Sequence, residues 1–254
     1  MKLQNKTAIV TGAGAGLGKA ICQLFAAEGC KVIAADVHPE RLEALKQSLQ
    51  ALGYTITTCT VDVANQSSVK AMIDQAMSTY GQIDVLVNNA GVMDNFEPVG
   101  DCPDSTWNKV MNINLNGVYY AMNAAVPHML KAGKGSIINV ASIGGLFGAR
   151  AGAAYTTSKH AVIGLSKNTG YMYAKLGIRC NAIAPGAMET QIAESMDMSK
   201  ITALVNERIM PGMALNPRTS NPTEVAQVAL FLASDDSSFV NASVVTADGG
   251  WSAY

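Results

Sequence analysis

The sequence predicts one α/β domain over residues 1–254, a doubly wound parallel sheet of about seven strands with helices on both faces. Three observations lead there. Short β-branched runs alternate with amphipathic helical spacings along most of the chain, the pattern of a parallel sheet joined by right-handed crossovers. A glycine-rich loop, Gly12-Ala13-Gly14-Ala15-Gly16-Leu17-Gly18, joins the first strand to the first helix. Polar residues recur where strands end, which is where such sheets gather their ligands.

Taken in order, Thr7–Thr11 is the first strand. The glycine loop follows, then helical spacing through Ala20, Ile21, Leu24 and Phe25 to Gly29. Glycines permit a tight turn and let backbone N–H groups approach a pyrophosphate at the helix N-terminus. Lys31–Asp36 is the second strand. It ends on Asp36, about twenty residues past the loop, where an acid accepts hydrogen bonds from ribose hydroxyls. The alternative is an Asp that begins the helix announced by Pro39-Glu40-Arg41. Strand, loop, helix, strand and terminal acid together read as a Rossmann-type dinucleotide-binding unit.

Leu42, Leu45, Leu49 and Leu52 fit a helix stopped by Gly53. Residues 55–61 are β-rich and lead to Asp62. Val69, Met72, Ile73 and Met77 fit another helix, and 83–87 a strand running into Asn88-Asn89-Ala90-Gly91. Residues 105–131 carry helical spacing, broken in character by Asn112-Ile113-Asn114-Leu115-Asn116. Mid-helix asparagines compete for backbone hydrogen bonds. The stretch is either an irregularity with a polar purpose or one exposed and one buried structural Asn. Residues 136–141 and 178–184 are strands, the second meeting the turn pair Pro185-Gly186. Residues 187–221 differ, with many methionines and breaks at Pro211-Gly212, Asn216-Pro217 and Asn221-Pro222. They read as short helices in a mobile lid. Its methionines either line an adaptable apolar pocket or pack the lid's underside. A helix over 223–234 and a strand over 243–247 complete the domain.

Composition removes several classes. The 254 residues are 49% hydrophobic and 15% charged, with a formal net charge of -1. No lysine or arginine cluster offers a nucleic-acid or anionic-membrane surface. No apolar run reaches spanning length, and the start is no secretory signal. The five cysteines form no Cys-x-x-Cys pair, and with the three histidines no zinc spacing. Core thiols in a reducing cytoplasm are the expectation, with no metal site. His128 and His160 read as helix-packing residues.

The chemistry centres on residues 142–159. This glycine-rich stretch leaves a strand at Ser142 and ends with Tyr155 and Lys159, one helical turn apart on one face. A neighbouring ammonium stabilises a phenolate, so the phenol would titrate below its usual value of about 10 and could exchange protons near neutrality. Ser142 could hold the oxygen that receives the proton. On its own the pair reads as a half-buried aromatic beside a solvated charge. The surrounding nucleotide-binding frame is what favours the chemical reading.

Over essentially its whole length the chain resembles the short-chain dehydrogenase/reductase family. Thr11-Gly12-x-x-x-Gly16-x-Gly18, with Leu17 inside it, looks like the family's cofactor loop. Asp62-Val63 resembles its adenine-side pair, and Asn88-Asn89-Ala90-Gly91 its NNAG turn. Asn114, Ser142, Tyr155 and Lys159 match its catalytic tetrad. Pro185, Gly186 and Thr190 look like the segment that holds the nicotinamide amide. The bacterial reductases called 3-oxoacyl-carrier-protein reductase or glucose dehydrogenase look most similar. The resemblance implies that Tyr155 exchanges a proton with the substrate oxygen, oriented by Ser142, while Lys159 holds the nicotinamide ribose. Asn114 would anchor a water linking Lys159 to solvent. It also implies a homotetramer with the long helices in one contact.

Asp36 predicts NAD(H), because a carboxylate beside the ribose repels a 2'-phosphate. NADP-preferring relatives usually carry a cation where this chain has Ala13 and Val37, and only Arg41 is near. The expected activity is NAD-dependent interconversion of a secondary alcohol and a ketone. Gly144, Gly145 and Leu146 offer no polar handle, which points to a neutral or apolar small-molecule substrate. The alternatives are an NADPH-dependent 3-oxoacyl-carrier-protein reductase and a non-catalytic dinucleotide-binding regulator.

Overall fold

The computed structural model describes residues 1–253. Seven strands form one sheet: β1 Thr7–Thr11, β2 Lys31–Asp36, β3 Thr57–Thr60, β4 Val85–Asn88, β5 Gly135–Val140, β6 Ile178–Pro185 and β7 Val244–Ala247. All pair in parallel, in the order β3-β2-β1-β4-β5-β6-β7. The helices between them are α1 Gly16–Ala27, α2 Pro39–Gln50, α3 Gln66–Tyr80, α4 Asp104–Met111, α5 Gly117–Ala132, α6 Ala153–Tyr173, α7 Ala203–Arg208, α8 Met210–Met213 and α9 Pro222–Ala233.

The side-chain period of two along each strand sorts the apolar residues into two cores. Ala8, Val10, Val32, Ala34, Val85, Val87 and Ile138 face one side, against Ile21 and Phe25 of α1, Leu45 of α2 and Val225 and Ala229 of α9. Ile9, Ile33, Leu86 and Ile137 face the other, against Met72 of α3, Met122 and Met129 of α5 and Val162 of α6. Burying a side chain of this size contributes about 1.5–3 kcal/mol. Because both faces are covered, the central strands read as continuous apolar runs rather than alternating ones. Helices α1 and α9, from opposite ends of the chain, pack against each other.

Within the predicted 105–131 helix, α4 and α5 are separated by a π-turn over Asn112–Asn116. There the Gly117 N–H reaches five residues back to the Asn112 carbonyl. Asn114 is fully buried and Asn112 exposed. Residues 187–221 hold two 3-10 turns, Gln191–Ser195 and Met198–Lys200, followed by α7 and α8. Among the described residues no helix is long and apolar enough to cross a membrane. The strand order reverses between β1 and β4, and the crevice beyond their carboxyl ends is where such a sheet binds ligands.

Candidate active site

The glycine loop and the 89–91 turn are locked together at that crevice. Thr11, the last residue of β1, accepts the Asn89 and Ala90 N–H groups on Oγ1 at 3.0 and 3.1 Å. Asn89 Nδ2 donates to the Thr11 and Gly12 carbonyls at 2.9 and 3.1 Å. Gly12 has φ 64°, and a Cβ there would stand 2.8 Å from Asn89 Nδ2. A Cβ at Gly18 would overlap the Gly12 carbonyl. Both positions therefore need glycine. Gly16, Leu17 and Gly18 open α1, whose N-terminus has no side-chain cap. Such an end offers its free N–H groups to a pyrophosphate. Thr190 lies against Gly16, with its side chain 3.0 Å from where a Cβ would sit.

Asp36 ends β2 beside this cradle. Its Oδ2 accepts the Gly14 N–H at 2.8 Å and its Oδ1 the His38 N–H at 3.0 Å. Ala13 is buried and Val37 exposed. The cation nearby, Arg41, pairs with Glu194 at 3.2 Å. Asp62 bonds locally, accepting the Ala64 N–H at 2.9 Å. Val63 packs on Gly117, where a Cβ would stand 3.0 Å from it. Pro185 ends β6, and the Gly186 N–H bonds the Ala247 carbonyl at 3.1 Å. The cradle, the acid at the ribose position and the absence of a cation at positions 13 and 37 fit a dinucleotide.

The predicted tetrad converges at the ends of β4 and β5. Ser142 follows β5 and accepts the Gly144 N–H on Oγ at 3.0 Å. Ser142 Oγ and the Tyr155 ring flank Gly144, where a Cβ would lie 3.4 and 3.3 Å from them. Tyr155 and Lys159 share the inner face of α6, 6% and 3% exposed. Lys159 Nζ stands 5.5 Å from the Tyr155 ring centre and donates to the Val140 carbonyl at 2.8 Å. Lys159 and Asn114 meet at Gly91, where a Cβ would lie 3.5 Å from Nζ and 3.4 Å from Asn114 Oδ1. Asn114 Oδ1 accepts the Val92 N–H at 2.9 Å. Its Nδ2 donates to the Val92 carbonyl at 2.9 Å and to Ser158 Oγ at 3.2 Å.

Two expectations need correction, and one pair of alternatives is narrowed. Burial pushes the Tyr155 phenol up to about 12, against a lowering by the nearby Ser142. Burial also brings Lys159 down to about 8. Desolvation of both groups outweighs the neighbourly stabilisation read from their spacing. Of the two readings of the lid methionines, the apolar cavity beside the start of α6 does not favour the lining one, since no methionine is in its wall. The cavity has a volume of about 290 Å³ between the 94–98 segment, the start of α6 and α7, with Phe96, Pro98, Thr156, Val205 and Ile209 in its wall and Arg208 on its edge. The second correction is His160, which is exposed rather than packed, its Nδ1 within 2.9 Å of the Thr156 carbonyl.

Sequence reasoning missed Asp94, and it did not foresee that Thr11 would hold the 89–91 turn or Gly14 the Asp36 carboxylate. Asp94 is 1% exposed and accepts main-chain N–H groups at the start of α6. Its signal in the sequence is faint, a polar Asp94-Asn95 pair soon after Gly91.

Residues 12–252 match the family model described as enoyl-(acyl carrier protein) reductase. The chain belongs to the short-chain dehydrogenase/reductase family. This short-chain dehydrogenase/reductase is 44% identical to 3beta-hydroxysteroid dehydrogenase 2 of Eggerthella lenta, over 99% of this chain and 96% of that protein. It is 40% identical to a 3-oxoacyl-acyl-carrier-protein reductase of Thermotoga maritima, over 98% and 99% respectively. The crystal structure of levodione reductase superposes with a TM-score of 0.90 at 36% identity, covering 99% of this chain and 100% of that one. As a short-chain dehydrogenase/reductase the chain is an oxidoreductase with a nicotinamide dinucleotide cofactor.

Proposed function

We propose that this protein interconverts a secondary alcohol and a ketone with NAD(H), using Tyr155 as general acid and base. The observation that carries the reading is the buried Tyr155 side chain, flanked by Ser142 and with Lys159 5.5 Å from its ring centre, beside the dinucleotide cradle. When bound, the nicotinamide supplies or accepts the hydride. Gly12, Gly16, Leu17 and Gly18 would cradle the pyrophosphate and Asp36 the adenosine ribose. Asp62 and Val63 would flank the adenine. Asn89, Ala90, Gly91 and Lys159 would border the second ribose, and Pro185, Gly186 and Thr190 the amide.

In reduction Tyr155 gives its proton to the ketone oxygen that Ser142 orients. In oxidation the phenolate takes the proton from the alcohol. Asn114 has a narrower role than a side-chain water anchor. Both side-chain polar atoms are committed to Val92 and Ser158. A relay water near Lys159 would find the Asn114 side chain already occupied.

Gly144, Gly145 and Leu146 beside Ser142 carry no charged side chain, which supports a neutral or apolar carbonyl substrate. Residues 187–221 act as a lid in this reading. Ser195 Oγ accepts the Met93 N–H at 2.9 Å, the Asp197 N–H reaches Asn95 Oδ1 at 2.7 Å, and Glu194 meets Arg41. Five free cysteines support a reducing, cytoplasmic setting. A second reading, an NADPH-dependent 3-oxoacyl-carrier-protein reductase, draws on the Thermotoga relative. Asp36, Ala13, Val37 and the Arg41–Glu194 pair weigh against it.

One set of assays tests the proposal: ketones and secondary alcohols screened with both cofactors on wild type and Tyr155→Phe. Turnover should be faster with NADH, and Tyr155→Phe should lose about 10²–10⁴-fold while still binding NADH. Preference for NADPH would remove the cofactor assignment. Unchanged turnover in Tyr155→Phe would remove the mechanism.

A further inference from the structure

Helix α6 carries both Tyr155 and Lys159, and its first turn has no cap of its own. Gly152, the residue before it, has no side chain to accept its N–H groups. The acceptors come instead from the segment that follows the 89–91 turn. Asp94 Oδ2 accepts the Tyr155 N–H at 2.8 Å, and Oδ1 accepts the Gly152 N–H at 2.9 Å. The Ala153 N–H bonds the Glu97 carbonyl at 2.9 Å. The approach is close enough that a Cβ on Gly152 would stand 2.7 Å from Asp94 Oδ2 and 2.6 Å from the Glu97 nitrogen.

The same carboxylate shapes the cavity. Asp94 Oδ1 also accepts the Phe96 N–H at 3.1 Å. Phe96 holds φ 62°, a conformation that costs energy in a residue with a Cβ, and its ring is part of the cavity wall. One buried group thus ties the backbone of the proton donor to the wall that a substrate would touch. Buried carboxylates are retained only when compensated. Three N–H donors and the positive end of a 21-residue helix supply the compensation here.

We propose that Asp94 is a positioning residue for Tyr155: its carboxylate fixes the first turn of α6, and with it the Tyr155 side chain, at the cleft. The inference rests on Tyr155 being the proton donor. The groups facing this pair are few. Lys159 lies on Tyr155's own helix and Ser142 on the loop after β5. Glu97 stands beside Asp94 with its oxygens taken by the Asn95 N–H and Nδ2. The Cys102 thiol, held up by burial and by Glu97, Asp94 and Asp104, lies on the far side. Burial and Glu97 hold the Asp94 carboxyl above the usual carboxylate range, while its three N–H donors pull it back down. Asp94 in turn adds to the upward pressure on Tyr155.

The test is the pH dependence of alcohol oxidation by wild type, Asp94→Asn, Asp94→Ser and Asp94→Glu, with Tyr155→Phe alongside. Removing the charge should move the apparent pKa of kcat/KM down by about 0.5 unit or more and lower kcat about tenfold, with NADH affinity within about twofold of wild type. Asp94→Ser keeps a neutral acceptor at the helix start, so it reports even where Asp94→Asn fails to fold. Asp94→Glu keeps the charge and should keep the wild-type apparent pKa while losing kcat. Superimposable profiles for wild type and Asp94→Ser, with Tyr155→Phe inactive, would overturn this inference alone. An active Tyr155→Phe would overturn it together with the assignment of Tyr155.

Discussion

Tyr155 and Lys159 move in opposite directions for one reason. Each is charged in only one of its two forms, and burial opposes that form. The phenol rises to about 12 and the ammonium falls to about 8. The consequence for rate has a definite sign. Oxidation draws on the phenolate, whose fraction below its pKa grows about tenfold per pH unit. We therefore expect kcat/KM for oxidation to climb through neutral pH and keep rising toward the Tyr155 pKa. Ketone reduction draws on the phenol and should stay level through neutrality. Initial rates in both directions between pH 6 and 10 would check this, and oxidation that slows as pH rises through 7 would refute it. The shifts themselves were not legible in the sequence. Spacing along a helix reports which side chains adjoin, whereas desolvation depends on what the rest of the fold lays over them.

At the level of elements, the π-turn matters most. A regular helix over 105–131 would carry Asn114 past Val92. The extra residue in the turn instead lets its amide pair with both polar groups of the Val92 backbone, next to Lys159. Asn114→Ala would strand those buried groups at a cost of about 1–3 kcal/mol, read as a lower denaturation midpoint. An unchanged midpoint would mean that water replaces the amide. Strands and helices were legible because their periods of two and 3.6 repeat long enough to register. A single five-residue turn repeats nothing, and its only trace was a run of asparagines poorly suited to a helix. The glycine loop and Asp36 were readable as a local pattern. Gly14 as the partner of Asp36, and Asp94 as the cap of α6, join positions that only the folded chain brings together. The methionines of 187–221 left two readings open for the same reason, since composition says nothing about which side chains turn toward a cavity.

Across the whole molecule the apolar composition leaves a residue on the outside. Tyr119 on α5 and Tyr171 and Met172 on α6 are large and solvent-facing, Tyr171 at 80% exposure. We expect them to be covered in a homotetramer, where a stable contact buries about 1,200–2,000 Å². Sedimentation velocity should give four chains per particle, and a monomer at micromolar concentration would end that expectation.

The packing of α1 on α9 sets an order of events during folding. Ile21 and Phe25 share a core with Val225 and Ala229. Until α9 docks, the first helix has part of its apolar face open to water, and the glycine loop it supports has no rigid base.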